Sequence, residues 1–257
     1  MNLRRLLVLA QNVFREVIRD RLLYLIGLFT LIMVAAGRLV PELSSIAAEK
    51  VLQDLGLGAI ALLGLVVTVF VGSNLVQAEV EKRTLLVLLA KPMTRSEFIV
   101  GKHLGLCGVL AVLIAAMGAI HLLLLQAYQV AFEVGPVLWA LLFLWLELCL
   151  LGAIALLFGA VMSPLLTTLL TFALYGIGQL SPDIVKLTQV TENPGLQRAV
   201  RLLYLVLPDL SRLNFRNDAI YGNLPGPGGL AIAALYALVY TSLLLAGASL
   251  LFQRREF

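Results

Sequence analysis

The sequence has few charged residues, and long apolar runs separate them. Only 13% of its residues are charged, whereas a soluble domain of this size has about 25%. Hydrophobic residues make up 61% of the chain, and a water-soluble fold cannot bury that much apolar surface. Because about 20 apolar residues in an α-helix cross the hydrocarbon of a bilayer, the runs predict a multi-pass helical membrane protein.

Cysteine is scarce as well, since only Cys107 and Cys149 occur and both lie in apolar runs. A disulfide framework is therefore not indicated, and we interpret both residues as small buried hydrophobes. With His103 and His121 they are not spaced for one helix face, so we predict no metal site and no bound copper. The excess of Lys and Arg flanks apolar runs without interleaved aromatics, and nucleic acid is not an expected partner.

The sequence lacks a Gly-rich phosphate loop of the G-x-x-x-x-G-K-[ST] type and an acidic strand end for magnesium. We therefore expect no ATP hydrolysis and no cofactor in this chain. A membrane-embedded hydrolase would need paired acids, a histidine or a serine near a base. No second acid, histidine or basic residue lies in the spans near Glu147, which disfavours such an enzyme.

Six apolar runs predict six membrane spans in a single transmembrane domain, residues 1–257. The spans cover about residues 22–40, 55–78, 97–128, 135–162, 165–181 and 230–252. An amphipathic pattern over residues 1–21 predicts a helix in the membrane interface. Residues 41–54 are predicted as a short polar link, and residues 183–227 as an outer segment with a short helix at 196–207. Lys and Arg concentrate on the side of the termini, so the termini are predicted to be cytoplasmic.

The segment of residues 79–96, between the second and third spans, is polar and rich in helix signals. Glu79 and Glu81 are predicted to open a short helix, where carboxylates complement the helix dipole. Thr94 followed by Glu97 predicts a capping box that starts the third span. An ordinary solvated loop with good caps would show the same features as a docking element, so the residues alone leave both interpretations open.

The same segment resembles the transmembrane subunits of ABC-2 type ABC transporters, in which this loop docks on the ATPase. The resemblance is carried by Glu79, Glu81, Thr84, Leu85, Leu86 to Leu89, Lys91, Pro92, Thr94, Arg95, Glu97, Phe98, Gly101 and Lys102. Residues 14–26 and 238–257 resemble the family's N-terminal helix and last span. The closest likeness is to the permease type associated with maturation of nitrous oxide reductase and other multicopper enzymes, although Arg83 stands where many members have glycine.

The resemblance implies an all-α membrane fold like that of type V ABC exporters, with an interfacial helix, a cytoplasmic coupling helix and short outer helices. It implies a permease subunit in the inner membrane that dimerises with a second copy or a paralogue and forms the translocation path. A separate ABC ATPase would supply ATP and magnesium, and lipids and an outer accessory protein are further candidate partners. The residues expected to dock the ATPase are Glu79, Glu81, Thr84, Leu85, Leu88, Lys91 and Arg95.

Three polar residues inside spans are candidates for a transport path. Glu147 is the one acid deep in a span, and an intramembrane carboxylate is a functional candidate by default; the alternative is an acid hydrogen-bonded to a neighbouring helix. His121 and Gln126 lie toward the outer end of the third span, where they would face a cavity or bond another helix. Ser73 and Asn74 fit either helix packing or a polar path.

Small residues at Gly101, Gly105 and Gly108 predict a closely approaching helix and need no ligand. Two other functions stay open. One is an ion-coupled secondary transporter with Glu147 as proton carrier, which flux without an ATPase would favour. The other is a non-transporting anchor that passes ATPase motion to an outer partner through residues 183–227.

Overall fold

The computed structural model is a bundle of long helices, and it describes residues 3–20, 22–43, 48–81, 94–190, 195 and 207–254. In chain order the elements are α1 (Leu3–Asp20), α2 (Leu22–Leu43), α3 (Ala48–Glu81), α4 (Arg95–Ala127), α5 (Val134–Gly159), α6 (Pro164–Val190), a 3-10 helix (Leu210–Leu213), α7 (Arg216–Tyr221) and α8 (Pro227–Arg254). The described residues include no strand, and the predicted all-α fold is confirmed.

Six helices are long and apolar enough to cross a membrane, as the sequence predicts. The candidate spans are Leu23–Glu42, Ala48–Leu75, Arg95–Ala127, Val134–Gly159, Pro164–Ser181 and Pro227–Gln253. Because successive spans run in opposite directions, α4 begins and α8 ends at the same end of the bundle. That end is called the inner end here, and the end where α4 finishes and α5 starts is the outer end.

Helix α5 is the centre of the bundle, since it packs against α3, α4, α6 and α8. Its side chains at Leu148, Leu150 and Leu151 are completely buried. The helices around it keep apolar side chains on their outward faces, as Leu31 of α2 and Ile232 of α8 illustrate. Such faces suit hydrocarbon, which is as apolar as leucine, so the distribution of exposed residues agrees with a membrane location.

The polar link predicted at residues 41–54 is largely helical, because α3 already begins at Ala48. Gln53 Nε2 donates to the carbonyl oxygen of Ala131 at 2.9 Å, and Leu52 is buried. These tertiary contacts stabilise the first turns of α3, although the local sequence is polar. The predicted link is therefore wrong for residues 48–54.

The predicted outer segment begins later than expected, because α6 continues to Val190 beyond the predicted end of the fifth span. The predicted short helix at 196–207 lies outside the described residues except for Leu207. Leu210 and Leu213 of the 3-10 helix are completely buried, and this helix packs on α5, α6 and α8. Residues 207–222 of the outer segment are thus folded into the outer end of the bundle.

Helix α1 is amphipathic as predicted, with Leu6, Leu9 and Val13 buried and Arg4 and Arg15 exposed. Its buried side chains pack against α4. At 33 residues, α4 is about 50 Å long, which exceeds the roughly 30 Å of hydrocarbon in a bilayer. Helix α1 packs on the inner half of this long helix.

Candidate functional site

The segment predicted to dock an ATPase lies at the inner end, and the structure describes only its two flanks. Thr84, Leu85, Leu88 and Lys91 lie outside the described residues. The backbone at Glu79 and Glu81 belongs to α3, which begins at Ala48. The prediction that these two residues open a helix is therefore wrong. The helix of the apolar span continues through Glu81, where the described residues stop.

The start of α4 is fixed by the predicted capping box, which the structure confirms. The amide nitrogen of Glu97 donates to Thr94 Oγ1 at 3.2 Å, and the amide nitrogen of Thr94 donates to Glu97 Oε2 at 3.1 Å. Glu97 is buried. Two amides that have no partner within the helix are thereby satisfied, and segment 82–93 is followed directly by a capped helix start.

The first turn of α4 is joined to the last turn of α8. Arg95 Nη1 donates to the carbonyl oxygens of Phe252 at 2.8 Å and Gln253 at 3.0 Å. The rings of Phe98 and Phe252 are stacked with centroids 5.7 Å apart, and Gln253 Nε2 donates to Ser96 Oγ at 3.5 Å. We call these contacts the α4–α8 joint; they place Arg95, a predicted docking residue, against the end of the last helix.

Two of the three predicted glycines, Gly101 and Gly105, let α1 lie close to the inner half of α4. A Cβ at Gly101 would lie 2.9 Å from Leu9 Cβ, and a Cβ at Gly105 would lie 2.6 Å from Val13 Cβ. At Gly108 the nearest atom would be Phe14 Cδ2, at 3.5 Å. Helix α1, the start of α4 and the end of α8 therefore form one packed unit, which we call the inner platform, beside segment 82–93.

Glu147 lies at the middle of α5, about 20 Å along the helix from its outer end, and is 1% exposed. Gln179 Nε2 of α6 donates to Glu147 Oε1. Asn214 Nδ2 donates to Gln179 Oε1 at 3.0 Å, and Arg216 Nε donates to Asn214 Oδ1 at 2.9 Å. Successive hydrogen bonds thus link the side chains of Arg216, Asn214, Gln179 and Glu147, from the cation of Arg216 to the buried carboxylate. We call these four side chains the Glu147 chain.

Sequence reasoning missed three of the four members of this chain. It found no basic residue in the spans near Glu147, and Arg216 indeed lies outside the spans. Arg216 nevertheless belongs to this chain, because the helix that it starts, α7 in the folded outer segment, packs against α5. Gln179, a polar residue in the short fifth span, was the one available signal. The hydrogen-bonded alternative for Glu147 is what the structure has, and a role in transport stays a prediction.

A second buried acid, Asp209, fixes the outer segment to two spans. Its Oδ1 accepts from Ser181 Oγ of α6 at 2.8 Å and from Ser211 Oγ, and its Oδ2 accepts from Arg212 Nε at 3.0 Å. Its amide nitrogen donates to the hydroxyl oxygen of Tyr236 in α8 at 2.8 Å. Since buried carboxylates are costly unless paired and hydrogen-bonded, this cluster holds residues 207–213 in one place.

The other two predicted path residues are not part of the Glu147 chain. His121 is completely buried, and a Cβ on Gly56 of α3 would lie 2.1 Å from its Cε1. Neither ring nitrogen of His121 has a hydrogen-bond partner among the described residues. Gln126 is exposed. The imidazole thus packs directly against the backbone of α3, whereas Glu147 is bonded to α6.

Ser73 connects α3 to α6, because Thr168 Oγ1 donates to its Oγ at 3.0 Å. Asn74 Nδ2 instead donates within α3, to the carbonyl oxygen of Phe70 at 2.8 Å, and is exposed. The packing interpretation therefore fits Ser73.

The spacing argument against a shared Cys and His face is wrong for two of the four residues. Cys107 Sγ lies 3.3 Å from His103 Nε2, one helical turn away. Both cysteines are free thiols. Across the described ranges there is no group of three or more His, Cys, Asp or Glu residues that could hold a metal ion. The absence of bound copper stays a prediction.

Among the residues that the structure describes, two apolar grooves open on the surface of the bundle. One, of about 490 Å³, lies between α4 and α5 and includes Ala111, Ala115 and Trp145 in its lining. The other, of about 560 Å³, lies between the outer ends of α5 and α8 and includes Trp139. Neither is lined by a residue of the Glu147 chain, so neither provides a polar path through the bundle.

The fold and these sites define a multi-pass helical membrane subunit with a polar loop at one end and a buried charge network toward the other. The chain belongs to the ABC-2 family transporter proteins, whose family pattern matches residues 7–257. It is therefore the membrane permease component of an ABC transporter, and such permeases typically work with an ABC ATPase. Comparison with curated proteins found no significant match.

Proposed function

We propose that this permease couples to a separate ABC ATPase that docks on residues 79–91 at the inner end. The residues proposed for this contact are Glu79, Glu81, Thr84, Leu85, Leu88 and Lys91. ATP and magnesium would bind in the ATPase, and this chain would hold no cofactor. The inner end would face the cytoplasm, with both termini there, and the permease would sit in the inner membrane as a dimer with a second copy or a paralogue.

The observation that supports docking at this place is the inner platform. A loop that receives a partner can move membrane helices only if its ends are firmly attached to them. One end continues directly from α3, a long span that packs against α4, α5 and α6. The other end is the capped start of α4. Helices α1 and α8 both contact α4. A displacement of the loop therefore reaches several spans at once.

The coupling requires only that the two arrangements of the permease differ in affinity for the nucleotide-bound ATPase. A ligand shifts an equilibrium by its differential affinity for the two states, so ATP binding would favour the arrangement that fits the closed ATPase. The Glu147 chain is a candidate for the part of the path that changes, because it bonds α5, α6 and the outer segment together. A cycle of closing and opening would then alter access between the permease copies.

Three finer statements belong to the same proposal. The resemblance in residues 79–102 supports a role in the maturation of a nitrous oxide reductase or another multicopper enzyme. A non-transporting anchor is the second candidate, favoured by the Asp209 cluster, which fixes the outer segment to α6 and α8. An ion-coupled carrier is the third, favoured by the buried Glu147.

The test of ATPase docking is affinity purification of the tagged chain from mildly solubilised membranes, with recovery and assay of any ATPase. Leu88→Asp places a charge in the apolar part of the proposed contact, so ATPase recovery should be lost. Leu39→Asp is the matched control, since Leu39 is 57% exposed at the outer end of α2, and recovery should stay as in wild type. Full recovery with Leu88→Asp would contradict the docking proposal.

A further inference from the structure

The last span meets the docking segment through a small set of contacts between residues far apart in sequence. Residues 95, 96 and 98 contact residues 252 and 253 through three hydrogen bonds and a ring stack. The first of these contacts is made by Arg95, one residue after the cap residue Thr94, which directly follows segment 82–93. We propose that this α4–α8 joint is the coupling contact that carries displacement of the docked loop into α8, with Arg95 and Phe252 as its positioning residues. The proposal rests on the docking function proposed above.

The chemistry of the joint suits a firm contact. A cation near the carboxyl end of a helix complements the helix dipole. Arg95 also donates to two carbonyl groups in the last described turn of α8 with one guanidinium nitrogen. Its guanidinium carbon also lies 6.0 Å from the centre of the Phe252 ring, within the range of a cation–π contact. The end of α8 is therefore bound by charge, hydrogen bonds and ring stacking together.

The ring stack makes the joint resistant to sliding. Phe252 is completely buried and Phe98 is 4% exposed, and their planes are 14° apart. Lys102 lies over the Phe98 ring, with its Nζ 5.5 Å from the ring centre. Close-packed interiors transmit displacement rather than absorb it, so the start of α4 and the end of α8 should move as one body.

Helix α8 is well placed to respond, because much of its length faces outward. Ile232, Leu235, Leu238 and Leu243 are all at least 58% exposed. The hydroxyl of Tyr236, near its outer end, accepts the amide hydrogen of Asp209. A helix held by polar contacts at its inner end and near its outer end, with a lipid-compatible face between them, can carry motion from the loop to residues 207–213. Arg95 thus acts through α8 rather than on the ATPase.

The experiment uses the full complex of permease and ATPase in lipid nanodiscs. Spin labels are placed at Leu138→Cys on α5, which does not adjoin segment 82–93, and at Leu235→Cys on α8, both exposed, in a background with Cys107→Ala and Cys149→Ala. The distance between the labels is measured with and without ATP and vanadate, and ATPase recovery is measured on the same samples. The proposed complex should show a nucleotide-dependent change of this distance.

Two variants remove the joint from opposite sides. Arg95→Met removes the donor to the α8 carbonyls, and Phe252→Leu removes the ring stack from the α8 side while keeping an apolar side chain. Phe252→Leu should retain ATPase recovery and lose the nucleotide-dependent distance change. Arg95→Met should lose the distance change as well, and Arg95→Lys should restore part of it because an ammonium can still donate to the carbonyls. Arg38→Met removes an exposed cation at the outer end of α2 and should behave as the unsubstituted complex does.

The outcomes separate the joint from the docking function. A nucleotide-dependent change that persists in both joint variants would overturn the proposal, as would the absence of any change on α8 in a complex that retains its ATPase. Loss of ATPase recovery with Arg95→Met but not with Phe252→Leu would assign Arg95 to docking and also overturn it. Failure of the unsubstituted chain to recover any ATPase would instead remove the docking function on which the joint depends.

Discussion

A single added methyl group at Gly105 should separate α1 from α4. A Cβ built there would lie 2.6 Å from Val13 Cβ and 2.9 Å from the carbonyl oxygen of Ala10. Favourable separations between carbon atoms are about 3.5–4.0 Å, so α1 must move by roughly 1 Å. The Ala10 oxygen belongs to the backbone of α1, which no change of side-chain rotamer can move. Gly108→Ala is the matched control, because its nearest neighbour, Phe14 Cδ2 at 3.5 Å, is an ordinary contact.

The magnitude follows from the difference between the two variants. Alanine is favoured over glycine in a helix interior by about 1 kcal/mol, and this gain is the same at both positions of α4. Overpacking at Gly105 costs about 1–3 kcal/mol. Gly108→Ala should therefore leave the contact of α1 with α4 intact, and in Gly105→Ala this contact should be weaker than in Gly108→Ala by about 1–3 kcal/mol. Each 1.4 kcal/mol corresponds to about a tenfold change in the opening equilibrium.

The assay is hydrogen exchange of the α1 amides in nanodiscs, followed by mass spectrometry. Protection of peptides from α1 should fall in Gly105→Ala by the factor that this free-energy difference sets, and should stay or rise in Gly108→Ala. Peptides from α5, which α1 does not touch in the described contacts, serve as the internal reference. Equal protection of α1 in the two variants would refute the argument that close approach at Gly105 fixes α1 on the inner platform.

Three further changes test other contacts. Thr94→Ala removes the cap of α4 and should lower helix stability by about 1 kcal/mol, seen as faster exchange in the first turn of α4; unchanged exchange there would contradict the cap. Glu147→Leu leaves the Gln179 amide without its acceptor and should destabilise the bundle by about 0.6–1.7 kcal/mol, the range for hydrogen bonds between membrane helices. Glu147→Gln keeps an acceptor and should be more stable than Glu147→Leu. Equal stabilities of the two variants in SDS unfolding would contradict the hydrogen bond. Gly178→Ala would place a Cβ 2.8 Å from a side-chain carbon of the 3-10 helix, whereas at Gly176 nothing lies within 4 Å, so only Gly178→Ala should raise exchange in residues 207–213.

The features that the sequence predicts correctly are those set by local physics. A span is predictable because its length and apolar content must match the bilayer, whatever its neighbours are. The capping box at Thr94 and Glu97 is predictable because both hydrogen bonds form within four residues. The close approach at Gly105 follows from spacing alone, although the sequence does not say which helix approaches.

The features that the sequence misses depend on contacts between distant residues. Helix α3 starts at Ala48 because Gln53 bonds a carbonyl 78 residues away, and no local signal carries that information. The partner of Glu147 is an amide on the next span, and the cation of its chain comes from a segment whose polar composition is typical of a surface loop. Arg95 stays a predicted docking residue by resemblance, and the sequence did not indicate its hydrogen bonds to carbonyls 157 and 158 residues later.

The polar contacts between helices matter for the position of α8 in the bundle, beyond what their energies add to stability. In a membrane, helices gain little by burying leucine against leucine rather than lipid, so polar contacts and close packing select the neighbours. Along α8 the described side-chain hydrogen bonds to other elements lie at Tyr236, and at Phe252 and Gln253 in its last turn. Removing one of them should therefore change where α8 sits more than whether the bundle folds. Such a helix can be shifted by a partner without loss of the α3, α4 and α5 core, which is the mechanical property that a coupled permease requires.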